Sequence, residues 1–207
     1  MRLADQSEIQ NRLINIGTDS DIYIPETLRF LATVNTDQTT EQLSPRFIDR
    51  ACMIKLPHVT ATVTKESGTE KPVFAPIPWK ELKKVFDTPK DDKTSPLLSV
   101  REKIYELFSQ HNLCVSPRVE RSIEKYIQVA QGIMDSEGVV RSHEIALDYA
   151  VLQKLLPKIN GNYDSYRVLF DKLKTISTEN HLHMTLEALE TMEKFQKDHM
   201  GYCQYLA

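Results

Sequence analysis

The stretch that decides the fold reads LRFLATVNTDQTTEQLSPRFIDRACMIKL, Leu28 to Leu56. Its first part, Leu28 to Val34, is apolar apart from Arg29 and Thr33, the composition of an inner parallel strand covered on both faces. The run stops at Asn35. A polar amide at the carboxyl tip of a buried strand stands where open α/β sheets bind their ligands. Ser44-Pro45 then supplies a hydroxyl cap followed by proline at the first helical position, so a helix starts there. That helix must be short, because Ala51 to Leu56 already reads as a strand again. Arg50 lies at the junction, where an arginine can project from the surface.

Upstream, the first 21 residues are polar and weakly patterned, with Ile9, Leu13, Ile14 and Ile16 suited to one amphipathic turn. Ile22-Tyr23-Ile24-Pro25 reads as extended, since proline biases the residue before it away from helix. Downstream, His58 to Lys65 alternates as a half-exposed strand, and Glu66 to Thr69 turns it back toward Pro72 to Ala75. A short helix is expected around Trp79 to Phe86, followed by the charged linker TPKDDKTSP.

From Ser95 onward the chain reads as helical. Val100, Ile104, Leu107 and Phe108 mark one apolar face, and Ser116-Pro117 repeats the helix-start signal. Val119, Ile123, Tyr126, Ile127 and Ala130 continue that helix. Ser142 is expected to cap another, running to Leu155 and ended by Pro157, with Asn160-Gly161-Asn162 as a turn. Leu169, Phe170, Leu173 and Ile176 mark the next helix, and Leu182, Leu186, Leu189, Met192 and Phe195 the last. The fold class is therefore mainly α with a small β part.

Composition narrows the function classes. The chain has 207 residues, 41% hydrophobic and 27% charged, enough to bury a core. A net charge of -3 offers no general attraction to nucleic acid, which needs clustered Lys and Arg, and the densest cluster is only Lys80, Lys83 and Lys84. Cys52, Cys114 and Cys203 are far apart and odd in number, which suits reduced thiols in a cytoplasmic protein better than a disulfide framework. No apolar run reaches bilayer length and MRLADQSEIQ has no signal-peptide core, so no membrane partner is expected. His181-Leu182-His183 lacks a third ligand nearby, and no metal site is expected. Neither Cys114 nor Cys203 has an adjacent histidine base to make it a nucleophile.

VNTDQTTEQLSPRFIDR, with its flanking apolar runs, resembles the sensor-1 and arginine-finger segment of AAA+ NTPases, closest to the McrB-like branch. The segment from His143 to Asp148 and on through Leu155-Leu156-Pro157-Lys158-Ile159-Asn160-Gly161 resembles the lid end of the same ATPases. The resemblance extends over most of residues 28 to 161 and implies the carboxy-terminal edge of an AAA+ α/β sheet followed by an α-helical lid bundle. On this division residues 1–57 belong to the core, 58–96 to a hairpin and linker insertion, and 97–207 to the lid and last helices. It also implies roles. Asn35 is the sensor-1 amide, and an ordinary turn Asn is the bland alternative. Arg50 is the arginine finger acting on a neighbouring subunit, with Arg46 as second candidate; an intrachain pair with Asp49 or Glu41 is the plain alternative. Arg118 in Ser116-Pro117-Arg118 takes the sensor-2 place, with Arg121 in reserve; a solvated surface arginine is the alternative.

No GxxxxGK[ST] occurs in the sequence, nor an apolar strand ending in Asp-Glu. The resemblance therefore implies ATP or GTP with Mg2+ as cofactor of an intact protein, with none held tightly by this chain alone. Implied partners are further copies in a ring, a nuclease subunit, and DNA indirectly, as in restriction of foreign DNA. A helical interaction module without catalysis, docking on a partner ATPase or nuclease, is the reading from a different class.

Overall fold

The structure, a computed structural model, describes residues 13–15, 21–23, 28–34, 43–56, 75–86 and 97–206. At its centre is a hairpin of two long helices, α4 (Pro117–Ser136) and α5 (Ser142–Lys154). The start of α4 is built as its residues dictate: the Ser116 hydroxyl accepts a hydrogen bond from the Val119 amide at 3.4 Å, and Pro117 occupies the first helical position. The connection to α5 is too short for anything but an antiparallel return, and it closes through Arg141 in the left-handed region, φ 62°. Ser142 is thus the first residue of α5 and not its cap; its hydroxyl instead donates to Asp135 across the hairpin.

Around the hairpin stand α3 (Leu98–Gln110), α6 (Tyr163–Glu179) and α7 (His183–Asp198). The main packings run α4 on α5, α5 on α7, α7 on α6 and α6 on α3. Ile104, Phe108, Ile123, Leu147, Leu155, Leu156, Ile159, Leu169, Phe170, Leu173, Leu182 and Leu189 form the fully buried centre. Truncating any one of them leaves a cavity and removes about 2–5 kcal/mol. Two polar ties reinforce the packing from outside. Arg101 bonds Glu124 at 3.3 Å between α3 and α4, while Glu193 on α7 takes both the Tyr163 hydroxyl and the Lys174 ammonium of α6.

Asp148 closes the bundle. It is buried on α5, and its carboxylate accepts hydrogen bonds from the Met184 amide (2.8 Å), the Thr185 amide (2.8 Å) and the Thr185 hydroxyl (2.6 Å). Leu182, at the N-cap of α7, has no side chain able to cap, so the orphan amides of that helix are satisfied from a neighbouring helix.

The β part is small. Asn160–Asn162 is strand β3, not a turn, and pairs antiparallel with β4 (Tyr202–Gln204), register Asn160 to Gln204. Gly161 sits at φ 148°, a backbone conformation that side-chain-bearing residues rarely adopt, so the position favours glycine. Tyr205 is buried against the core and the Tyr202 hydroxyl bonds Asn160, so the terminal tyrosines pack. Leu13–Asn15 (β1) and Asp21–Tyr23 (β2) form a second antiparallel pair, where an amphipathic turn was the expectation for Leu13 and Ile14. Helix α2 (Trp79–Phe86) falls where the sequence puts it, while the hairpin expected over 58–75 and the linker 88–96 lie almost wholly outside the described residues.

The expected strand at Leu28–Val34 is absent: the segment is not in a sheet, and Phe30 and Leu31 are 85% and 95% exposed. A strand is defined by hydrogen bonds to a neighbour, and no described strand stands beside this one. The segment reaches α2 through Arg29, whose guanidinium lies 5.1 Å from the centre of the Trp79 ring. The overall class is as expected, mainly helical with a little β structure. Among the described residues no helix is long and apolar enough to cross a membrane.

Asp148→Ala is expected to destabilise the bundle by about 3 kcal/mol, since it leaves helix amides unsatisfied in a buried site. Asp148→Asn, which keeps one acceptor oxygen, is expected to lose roughly half of that. Urea unfolding monitored by circular dichroism decides it; an Asp148→Ala midpoint equal to the parent's would contradict the closing role.

Alkali supplies a second test. Burial pushes the Cys203 thiol up to about 11 and the Tyr205 phenol up to about 12. Burial and the carboxylate of Glu193 together push Tyr163 up to about 12. Unfolded, these groups ionise at their ordinary values of 9.0 and 10.0, so unfolding releases protons. Their contribution is complete below pH about 9 and is lost as pH rises through about 11 to 12. Burial also raises Tyr126 and Tyr166, which act in the same sense, while Lys55, which burial lowers, opposes them. The urea midpoint is expected to fall steadily above pH 9; a flat profile to pH 11.5 would contradict the buried placement of these groups.

Candidate functional site

The segment carrying the finger candidates lies on the end of the α4–α5 hairpin where α5 gives way to the turn Leu156–Lys158. Its helix α1 (Pro45–Ile48) begins as Ser44-Pro45 requires, the Ser44 hydroxyl accepting from the Phe47 amide at 3.3 Å. Ile48 is its buried residue and anchors it.

Beyond α1 the chain is extended and held to the bundle by hydrogen bonds. Lys158 pairs with Asp49. The buried Lys154 donates its ammonium to the Ala51 carbonyl at 2.7 Å. The Met53 amide donates to the Gln153 carbonyl at 3.2 Å. Lys55 donates to the Tyr205 carbonyl at 3.3 Å, its ammonium 6.0 Å from the centre of the Tyr205 ring. The strip runs from the end of α5 to the C-terminal strand. The strand expected at Ala51–Leu56 is thus an extended segment whose partners are helix ends and side chains instead of a sheet.

The strip has a bundle side and an open side. On the open side lie Arg46, Phe47, Arg50, Ile54 and Leu56, all exposed. Arg50 donates from Nη1 to the Arg46 carbonyl at 2.9 Å, so the two arginines emerge from one turn. Of the plain alternative, the ion pair from either arginine to Asp49 is not what forms, since Asp49 is engaged by Lys158, and Glu41 lies outside the described residues.

Arg118 and Arg121 occupy the first two turns of α4, both exposed, with Arg121 Nε donating to the Pro117 carbonyl at 3.0 Å. Gln131 meets His143 and Asp135 meets Ser142 near the connection, so the antiparallel hairpin carries the α4 start to its opposite end, where α5 finishes. The finger strip and the α4 start lie toward that same end of the hairpin, with α4, at 20 residues against 13, running on past the end of α5. A guanidinium is permanently charged and forms paired hydrogen bonds to phosphate or carboxylate oxygens, and exposed helix-start amides add a field of the same sign. Asn35 lies outside the described residues. The His181 and His183 rings stand 6.1 Å apart, and among the described residues no group of three ligating side chains could hold a metal ion. Cys52 and Cys114 are exposed and Cys203 is buried, all three as free thiols.

Sequence reasoning missed Lys154 and Lys158. The available signal was Lys154 itself, which continues the apolar face of Leu147, Ala150 and Val151 at helical spacing. A lysine on a core face needs a partner, since burying an unpaired ammonium is expensive.

Against known proteins, the chain matches the family described as Domain of unknown function (DUF8727) over residues 76–202, and it belongs to that family. The matched region begins just before α2 and ends on the first residue of β4, so it takes in the whole bundle with Lys154 and Lys158. No curated protein and no solved structure matches.

Proposed function

We propose that this member of the DUF8727 family is the finger-and-lid portion of a McrB-like AAA+ NTPase, working in a ring on DNA in restriction or defence. The observation that carries the reading is the open side of the docked strip: Arg46 and Arg50 emerge exposed from a short capped helix, with the helical bundle fixed behind them. In phosphoryl transfer the protein positions the reactants and neutralises charge that develops on the γ-phosphate. If bound, ATP or GTP with Mg2+ would supply the transferable phosphoryl group and a metal ion to offset its charge. Arg50, backed by Arg46, reaches from one subunit toward the nucleotide of the next. Arg118, with Arg121 behind it, serves the nucleotide of its own subunit from the α4 start. Asn35 orients the attacking water.

The exposed apolar residues of 28–34, with Ile54 and Leu56, fit a sheet edge that pairs with further core strands. Those same residues also suit the second reading, a non-catalytic helical module that docks on a partner ATPase or nuclease. The two readings diverge on Arg50, which only the first requires.

Titration of the chain with fluorescent ATP and GTP analogues plus Mg2+ tests the proposal. A finger-and-lid portion is expected to show no binding below the millimolar range. Micromolar binding that weakens on Arg118→Ala would mean that a complete phosphate site exists here without a P-loop, and would overturn it.

A further inference from the structure

The Leu155-Leu156-Pro157-Lys158 turn contacts no nucleotide in the proposed function, yet it touches the finger segment at its most sensitive place. Lys158 holds Asp49, the residue before Arg50, and Lys154 holds the carbonyl of Ala51, the residue after it. The two lysines stand four positions apart, one at the end of α5 and one at the end of the Leu156–Lys158 turn that Pro157 introduces. They therefore bracket Arg50 from both sides along the backbone. Neither contact is an ordinary surface pair, because Lys154 is buried and the Lys158 side chain is only 10% exposed. The Arg50 side chain is left outside the bracket, tied back to the carbonyl of Arg46.

We infer that Lys154 and Lys158 are positioning residues that fix the direction of Arg50 to the orientation of the helical bundle. The role rests on the finger reading of Arg50 and adds a coupling to it. When the bundle of one subunit moves against its core, α5 carries residues 49 to 51 with it, and Arg50 changes its approach to the neighbouring subunit's nucleotide. The state of one site is thereby passed to the next through two lysines instead of through a separate relay. Gln153, whose carbonyl accepts from Met53, and Tyr205, whose carbonyl accepts from Lys55, extend the same attachment beyond Ala51.

Cys52 lies inside the clamped segment, is exposed and is a free thiol, so it reports on the clamp directly. With Cys114 changed to Ser, a nitroxide on Cys52 is expected to give a restrained spectrum in the full chain. Lys158→Asp and Asp49→Lys are each expected to narrow that spectrum by freeing the segment, and the double exchange to restore the restrained line shape. Unchanged spectra in the single variants would overturn the clamp, as would a double variant as mobile as the singles. This readout involves no nucleotide, so it stands or falls apart from the NTPase reading. In the assembled ring, Lys158→Asp is expected to lower kcat on the order of 100-fold, the cost of an ångström-sized misplacement, with KM little changed and the double exchange recovering kcat. A clamp seen by spin label with hydrolysis indifferent to it would leave the attachment in place and remove the positioning role.

Discussion

The bundle depends on one buried carboxylate. Asp148 belongs to α5 but satisfies the first amides of α7, whose own cap position is a leucine. Without that acceptor α7 would begin with unpaired donors, one of them the amide of the buried Thr185. With it, α7 is fixed in place and direction on α5. Strand β4 follows from α7 through a tight turn and pairs with β3, which brings Tyr205 into the core. Lys55 then finds the Tyr205 carbonyl, and the strip that follows α1 gains its outermost attachment. A chain of local consequences thus runs from one aspartate to the placement of two exposed arginines.

The second organising constraint is the end of α5. A lysine on an apolar face, a proline that stops the helix and a second lysine in the turn together present two cations to an incoming backbone. A passing segment that offers a carboxylate at one residue and a carbonyl two residues on satisfies both. Buried ion pairs are weak arguments for stability but strong ones for fixed geometry, because removing one partner strands the other. A clamp made this way serves register more than it serves stability.

The parts of this fold legible in the sequence are those decided within a few residues. Ser44-Pro45 and Ser116-Pro117 each start a helix where they stand, because an N-cap hydroxyl and a proline act on their own first turn. The faces of α3, α4 and α6 follow from apolar spacing alone, as do Leu182, Leu189 and Met192 at and along α7, while Leu186 and Phe195 stay outside the core. Illegible were the elements that need a distant partner. Asn160-Gly161-Asn162 has the composition of a turn and becomes a strand only because Tyr202 to Gln204 lies beside it. Leu28 to Val34 has the composition of an inner strand and is not one, since strand identity resides in the neighbour. Of the candidate site, the four arginines fall on exposed positions, but Lys154 and Lys158 find their partners 103 and 109 positions upstream. Local pattern carries no trace of such contacts.

In the proposed function Arg50 acts across a subunit boundary while Arg118 acts within its own subunit. Nucleotide hydrolysis by mixed rings, in which this chain is joined to a P-loop-bearing AAA+ core, measures that division directly. Rings made only of Arg50→Ala subunits and rings made only of Arg118→Ala subunits are each expected to be nearly inactive. Mixing the two variants is expected to restore part of the rate, because some interfaces then pair an intact Arg118 with an intact Arg50. Full hydrolysis by Arg50→Ala rings, or no recovery on mixing, would contradict the account.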